Sequence, residues 1–242
     1  MSWQHLTFAT SLILIMVAAA ILLGRKNRYC TDSAKNKVLI WSAILIDSIE
    51  LFKIVLLCFR SNDPMNWLHN LPLFLCSIQL IAIPLAAFSK GRLRESSLDF
   101  VFIFGVLGAV SGVYFAGQNY GSYPVLSFDN VVSGTTHCIS GFCSLYIAIS
   151  GLISMRRENI GCCFGILLGF CLLAYGANHL VDYNYMFLMA GDGTPYDILY
   201  NLLGGSPVLY PIGVVLLFLV YIHLFYWVYF LATRKKAAHI AS

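Results

Sequence analysis

Four residues that could act as nucleophile, proton carrier or orienting group stand inside otherwise apolar stretches of this chain: Cys76, His137, Asn178 and Glu50. Cysteine, histidine and asparagine form a known nucleophile set, in which the imidazole takes the thiol proton and the amide orients the imidazole. A thiolate in apolar surroundings needs a nearby cation such as an imidazolium. Cys76 and Gln79 are three residues apart and share a helical face. Ser133, His137, Ser140 and Ser144 fall at offsets 0, 4, 7 and 11, again one face. Cys171, Tyr175, Asn178 and Asp182 repeat those offsets, with His179 beside Asn178. Glu50 and Lys53 are close enough in sequence to pair, or Glu50 could face the cavity and tune His137. Blander readings stand beside these. Cys76 could be a small core residue. His137 could be a satisfied helix–helix hydrogen-bonding group, and Asn178 a helix cap or a bond to a neighbour. Spacing puts each residue on a face; it does not bring the faces together.

The elements that must position these residues are membrane helices. The chain has 242 residues, 59% of them hydrophobic and 11% charged, with a mean hydropathy of +0.78. A soluble domain carries about 25% charged residues. The deficit excludes a soluble globular domain, a disordered chain and a coiled coil. The net charge of +4 does not point to nucleic acid, because the basic residues sit in short loops between apolar blocks. Seven blocks of roughly bilayer-spanning length are read at 5–24, 38–59, 71–89, 98–117, 131–154, 160–182 and 207–232. The expected fold is all-α, a seven-transmembrane-helix bundle forming a single integral membrane domain over 1–242. The first block lacks a basic lead-in and is followed by Arg25, Lys26 and Arg28, so it reads as a retained span rather than a signal peptide.

Charge sets the expected orientation. Loops 25–37, 90–97 and 155–159 and the tail 233–242 hold thirteen Lys and Arg, against only Arg60 in the opposite loops. The N-terminus is therefore expected outside and the C-terminus in the cytoplasm. On this reading Cys76 and His137 lie about 8 Å and 9 Å below the outer ends of their helices. Asn178 is at the outer end of its own helix, and Glu50 is deeper. Gly108 with Gly112, and Gly161 with Gly165 and Gly169, fall every fourth residue, a spacing that lets helices approach closely. Segment 183–206 is a long outer loop, of the kind that is often functional or re-entrant. Seven of the eight cysteines lie inside apolar blocks and Cys30 is in a basic loop, so no disulfide framework is expected. No Walker loop, dinucleotide fingerprint or zinc-protease helix occurs. No metal or diffusible cofactor is implied.

Leu71-Pro72-Leu73-Phe74-Leu75-Cys76-Ser77 resembles the Leu-Pro-Leu-His-Leu-Cys signature of the YwaF-type integral membrane proteins, bacterial relatives of the transmembrane protein 164 acyltransferases. Glu50 matches that family's acidic position in span two. Asp99 with Gly105 and Gly108 looks like its Asp-x-x-x-Phe-x-Gly region, and Val132 to Ile139, with His137, resembles its span-five histidine segment. Asn184-Tyr185-Met186-Phe187-Leu188 and Leu202-Leu203-Gly204-Gly205-Ser206-Pro207 resemble its last outer loop. The likeness runs from about 40 to 232. Phe74 stands where the signature has His, and Cys138 follows His137 where Gly is usual.

The resemblance implies a phospholipid transacylase of the bacterial cytoplasmic membrane, with Cys76 as acyl carrier and His137 as base. Asn178 would fix the imidazole and Glu50 would tune it. Gln79, Ser133, Ser140, Tyr175 and Asn184 are the candidate substrate contacts. The partners are membrane phospholipids; nucleic acid is not expected. Two other readings use the same pocket. One is a lipid ester hydrolase with water as acceptor. The other is a non-enzymatic receptor, immunity protein or transporter that binds a lipid or solute, with Cys76 as packing only.

Overall fold

The computed structural model describes residues 2–114, 124–153 and 155–240, the side chains of 234–240 excepted. The far end of the expected fourth span, 115–117, and the basic side chains of Arg234, Lys235 and Lys236 lie outside the described residues. Among the described residues the regular structure is helical throughout. The described residues form eight α-helices: α1 Trp3–Asn27, α2 Asp32–Ser61, α3 Gln79–Phe88, α4 Gly91–Tyr114, α5 Phe128–Ile149, α6 Asn159–Val181, α7 Tyr196–Leu202 and α8 Leu209–Ile240. Short 3₁₀ turns occupy Asn66–Asn70 and Tyr185–Phe187. Five of the helices, α1, α4, α5, α6 and the Leu209–Thr233 part of α8, are long and apolar enough to cross a membrane.

Two of the seven expected spans depart from that pattern. α2 has 30 residues, about 45 Å of helix, but Asp47, Glu50 and Lys53 interrupt its apolar run. The block at 71–89 is not one helix. Leu71 is extended, with φ −61° and ψ 146°, as a residue before proline tends to be. Hydrogen-bonded turns follow, from Ile78 N to Phe74 O at 3.0 Å and from Gln79 N to Cys76 O at 3.4 Å. α3 then runs for only 10 residues, about 15 Å, half the thickness of a hydrocarbon core. Cys76 therefore precedes its helix, and a depth counted along a continuous span does not apply to it.

The chain forms two compact units, Met1–Ser154 and Met155–Ser242. In the first, α5 packs most extensively on α4 and also meets α1 and α2, while α3 lies against α4 and α2. α1 runs parallel to α5. Leu12 and Phe8 lie on Gly134, Met16 on Gly141, and Ile149 on Gly24. α2 runs antiparallel to α5. Arg60 near its end pairs with Asp129 at 3.1 Å and stacks 5.2 Å over the Phe128 ring. At the opposite end, Asn27 Nδ2 donates to the Tyr146 hydroxyl at 3.0 Å, which donates to Lys35 O at 3.1 Å. Arg94 Nη2 donates to Asn36 Oδ1 at 3.3 Å, and Asn36 Nδ2 donates to Ala87 O at 2.7 Å. These bonds gather the basic segments 25–37 and 90–94 at one end of the unit. Side-chain caps begin three of the helices. Ser2, Thr31 and Ser127 accept from His5 N, Ala34 N and Asn130 N, which satisfies donors a helix start leaves open.

In the second unit α6 and α8 pack together, and α7 lies on α8. Segment 183–206 is built as a folded loop. Asn184 Nδ2 donates to Ala190 O at 2.8 Å and to Asp192 Oδ2 at 2.6 Å, and Asn184 Oδ1 accepts from Met189 N at 2.8 Å. Ring pairs Phe187–Tyr196 and Tyr200–Tyr210 seat it further, with centroids 5.5 Å and 5.0 Å apart.

Candidate functional site

α4 carries Gly105, Gly108 and Gly112 at offsets 0, 3 and 7, so the three share a face. The volume a side chain would fill at each is taken by a different neighbour. A Cβ at Gly105 would come within 2.6 Å of Ser144 Cβ and 2.7 Å of the Ser140 carbonyl oxygen. Here α5 rides directly on the α4 backbone, and Ser144 Oγ donates across to Phe102 O at 2.8 Å. A Cβ at Gly108 would lie 3.6 Å from Cys76 Cβ and 3.7 Å from its Cα. A Cβ at Gly112 would overlap the His137 ring.

The consequence is a juxtaposition that spacing alone could not supply. Gly108 and Gly112 are one helical turn apart, so Cys76 and His137 rest on adjacent turns of one face, about 6 Å apart along α4. Both are partly accessible, whereas Gly105, Ser140 and Ser144 beneath them are buried. His137 comes from α5, nine residues from its start at Phe128. Cys76 comes from the turns that lead into α3. Its Sγ lies 4.0 Å from Ser77 Oγ. A separation of one turn is within reach of a side-chain rotation or a bridging substrate hydroxyl, and catalytic contacts are commonly looser before substrate binds.

The field of Lys53, on α2, reaches both Cys76 and His137, where a positive charge favours a thiolate and opposes an imidazolium. Lys53 Nζ also donates to Glu50 Oε1 in a short ion pair, with the two side chains 21% and 13% exposed. Glu50 is thus engaged with Lys53 three residues on. The sequence signal was the Glu50–Lys53 spacing in an apolar helix; what it did not reveal was that Lys53, rather than Glu50, addresses the pair.

The remaining expected site residues divide sharply. Gln79 follows Cys76 by one turn and is 0% exposed. Among the described residues neither of its carboxamide atoms has a hydrogen-bond partner. Ser133 is partly accessible, one turn before His137 on α5. Ser140 is buried, and its hydroxyl donates to Thr136 O at 3.1 Å, so it closes its own helix rather than facing a ligand. Asn178, Tyr175 and Asn184 belong to the second unit. Asn178 is 3% exposed. Its Oδ1 accepts from Tyr185 N at 2.6 Å and its Nδ2 donates to Tyr185 O at 3.1 Å. Of the roles open to it in sequence, bonding to a neighbour is the one it fills, on the backbone of the fully buried Tyr185. Asn184 closes segment 183–206 in the same manner. Tyr175 stacks edge-on with His179 at 4.7 Å.

The glycine stripe of α6 also differs from expectation. A Cβ at Gly161, Gly165 or Gly169 would meet nothing within 4 Å among the described residues. The other expected pair, Gly108 and Gly112 of α4, does admit close neighbours, Cys76 and the imidazole, and Gly105 beside them admits α5.

Neither the curated proteins nor the solved structures hold a match to the chain. Residues 1–233 match the profile of the TMEM164 family, a span that takes in both units and every residue of the Cys76–His137 site. With five helices of membrane-crossing length and a match over nearly its whole length, the chain is a membrane protein that belongs to the TMEM164 family.

Proposed function

We propose that the protein is a membrane acyltransferase that moves a fatty acyl chain between phospholipids through a thioester on Cys76. The observation that carries this reading is the placement of Cys76 and His137 on adjacent turns of one α4 face. His137 takes the thiol proton and Cys76 Sγ attacks the ester carbonyl of a donor phospholipid. The proton passes to the departing lysophospholipid oxygen. In the second half His137 takes the proton of an acceptor hydroxyl, which attacks the thioester and frees the thiol. Lys53 supplies a positive charge whose field reaches the sulfur, where a thiolate would otherwise be poorly solvated. Its ion pair with Glu50 holds the ammonium in place. Ser133 lies on the α5 face that leads to His137 and is offered as a headgroup contact. Asn178 has no part in this scheme.

The same reading includes the topology. α2 and the segment from Pro72 to Phe88 complete seven passages, the N-terminus faces outside, and the protein resides in a bacterial cytoplasmic membrane. The gathering of basic segments at one end of the first unit supports the orientation.

The test is mass spectrometry of the intact protein reconstituted with a defined diacyl phosphatidylcholine, before and after neutral hydroxylamine. A hydroxylamine-labile acyl mass is expected on the wild type, none on Cys76→Ala, and slow accumulation on His137→Ala. Lipid analysis then names the acceptor, since a new phospholipid means transfer and a free fatty acid means hydrolysis. Unchanged lipid and no adduct on the wild type would remove the enzymatic reading.

A further inference from the structure

We propose that the Gln79 carboxamide is the oxyanion-binding group of the Cys76 site, donating from Nε2 to the carbonyl oxygen of the acyl group as it is transferred. The inference rests on the acyl-transfer reading above and adds the residue that stabilises its charged intermediate.

Three observations converge on Gln79. It is the only side chain of α3 that can make hydrogen bonds; the rest of that helix is Leu, Ile, Ala, Pro and Phe. It is 0% exposed, and among the described residues both Nε2 and Oε1 lack a hydrogen-bond partner. A buried carboxamide with neither end satisfied is rare in folded proteins and calls for an occupant. Finally, Gln79 N donates to Cys76 O at 3.4 Å. That is a three-residue turn, in which the side chains at its two ends eclipse one another. The local backbone therefore sets Gln79 on the same side of the chain as the nucleophile, one turn on, at the N-terminal end of α3.

The chemistry asks for a donor at this place. When Cys76 Sγ bonds to the ester carbon, the carbonyl π electrons move onto oxygen. The tetrahedral adduct carries a negative charge there until the alkoxy C–O bond breaks and the lysophospholipid oxygen leaves with the proton held by His137. A neutral amide N–H fixed beforehand beside that oxygen binds it more tightly than it binds the uncharged ester, which lowers the barrier. In an apolar, water-poor site such a donor counts for more than in water. A leucine or methionine at position 79 would satisfy packing without leaving polar atoms unpaired. Gln79 is thus a liability for the fold, and an asset only with the substrate carbonyl present.

The test uses the full-length protein in vesicles of a short-chain phosphatidylcholine, and of the same lipid with sulfur in place of the carbonyl oxygen. Sulfur accepts hydrogen bonds poorly. Gln79→Leu and Gln79→Met should keep or raise the melting temperature and leave maleimide labelling of Cys76 unchanged. Acylation of Cys76 from the oxygen ester should slow by about 100- to 1,000-fold. The preference of the wild type for the oxygen ester over its sulfur analogue should collapse in both variants. Wild-type rates, an unaltered oxygen-to-sulfur preference, or misfolding of both variants would each overturn the oxyanion role, the last by showing that Gln79 serves the fold. If wild type forms the Cys76 adduct normally while these variants do too, only this inference fails. If wild type forms no adduct, the acyl-transfer reading fails and this inference with it.

Discussion

Alanine placed at each of the three α4 glycines in turn should separate helix packing from chemistry. Gly-to-Ala in a helix interior is worth about 1 kcal/mol of backbone entropy and propensity. At Gly108 the new methyl meets Cys76 at 3.6 Å and 3.7 Å, ordinary contact distances. Gly108→Ala should therefore raise stability by about 1 kcal/mol, or about 2–4 °C for a protein of this size, and leave Cys76 acylation within a few-fold of wild type. At Gly112 the methyl lands on the imidazole. The ring is the end of a side chain and can swing aside, so overpacking of about 1–3 kcal/mol is partly offset by the propensity gain. The protein should fold, but a base displaced by 1 Å costs about 100-fold in rate. At Gly105 the obstruction is the Ser140 carbonyl oxygen at 2.7 Å. A backbone cannot swing, so α4 and α5 must part. Gly105→Ala should lower the melting temperature more than either neighbour does. The readouts are thermal denaturation in detergent and the rate at which the hydroxylamine-labile mass appears on Cys76. If Gly112→Ala acylated at the wild-type rate, His137 would not be the base held on that turn. Equal loss at Gly108 and Gly112 would refute the steric argument itself.

Three further predictions follow from the geometry. Lys53→Met should destabilise by about 3–5 kcal/mol by leaving Glu50 as an unpaired, largely buried charge. The double variant Glu50→Gln, Lys53→Met should recover most of that loss yet remain slow in acylation; a double variant with wild-type rate shows that the ion pair is structural only. Asn178→Ala should cost about 2 kcal/mol by removing both of its bonds to the buried Tyr185 backbone, and should loosen segment 183–206 to limited proteolysis without slowing Cys76 acylation in the folded fraction. Cys30 is exposed in the first basic segment. In a variant that keeps Cys30 alone, an impermeant maleimide added to intact cells should label it only after permeabilisation. Labelling of intact cells reverses the proposed orientation.

Much of the helical content was legible in the residues themselves. Apolar runs of membrane length specify α1, α4, α5, α6 and α8 locally, because a backbone in hydrocarbon must bond to itself. The His137 face of α5 follows from helical periodicity. The alternation of Lys and Arg between loops foretold that segments 25–37 and 90–94 gather at one end. The 71–89 block misled because hydropathy does not register how Pro72 and the turns before Gln79 break the helix. Between the roles the sequence left open for Asn178 only packing could choose, because Cys, His and Asn are a chemical set only when they meet; its amide bonds the Tyr185 backbone seven residues on.

Residue type and order therefore determined which groups could react and which helices would enter a membrane, since both depend on local chemistry and on the transfer of side chains from water. Only the tertiary structure decided which groups share a site. It set Cys76 and His137, 61 positions apart in the chain, on neighbouring turns of α4. It also brought Lys53 within electrostatic reach and left the Gln79 amide buried and unanswered. The physical reason is that a glycine in sequence shows only a missing side chain; which neighbour fills the space is settled when the helices pack.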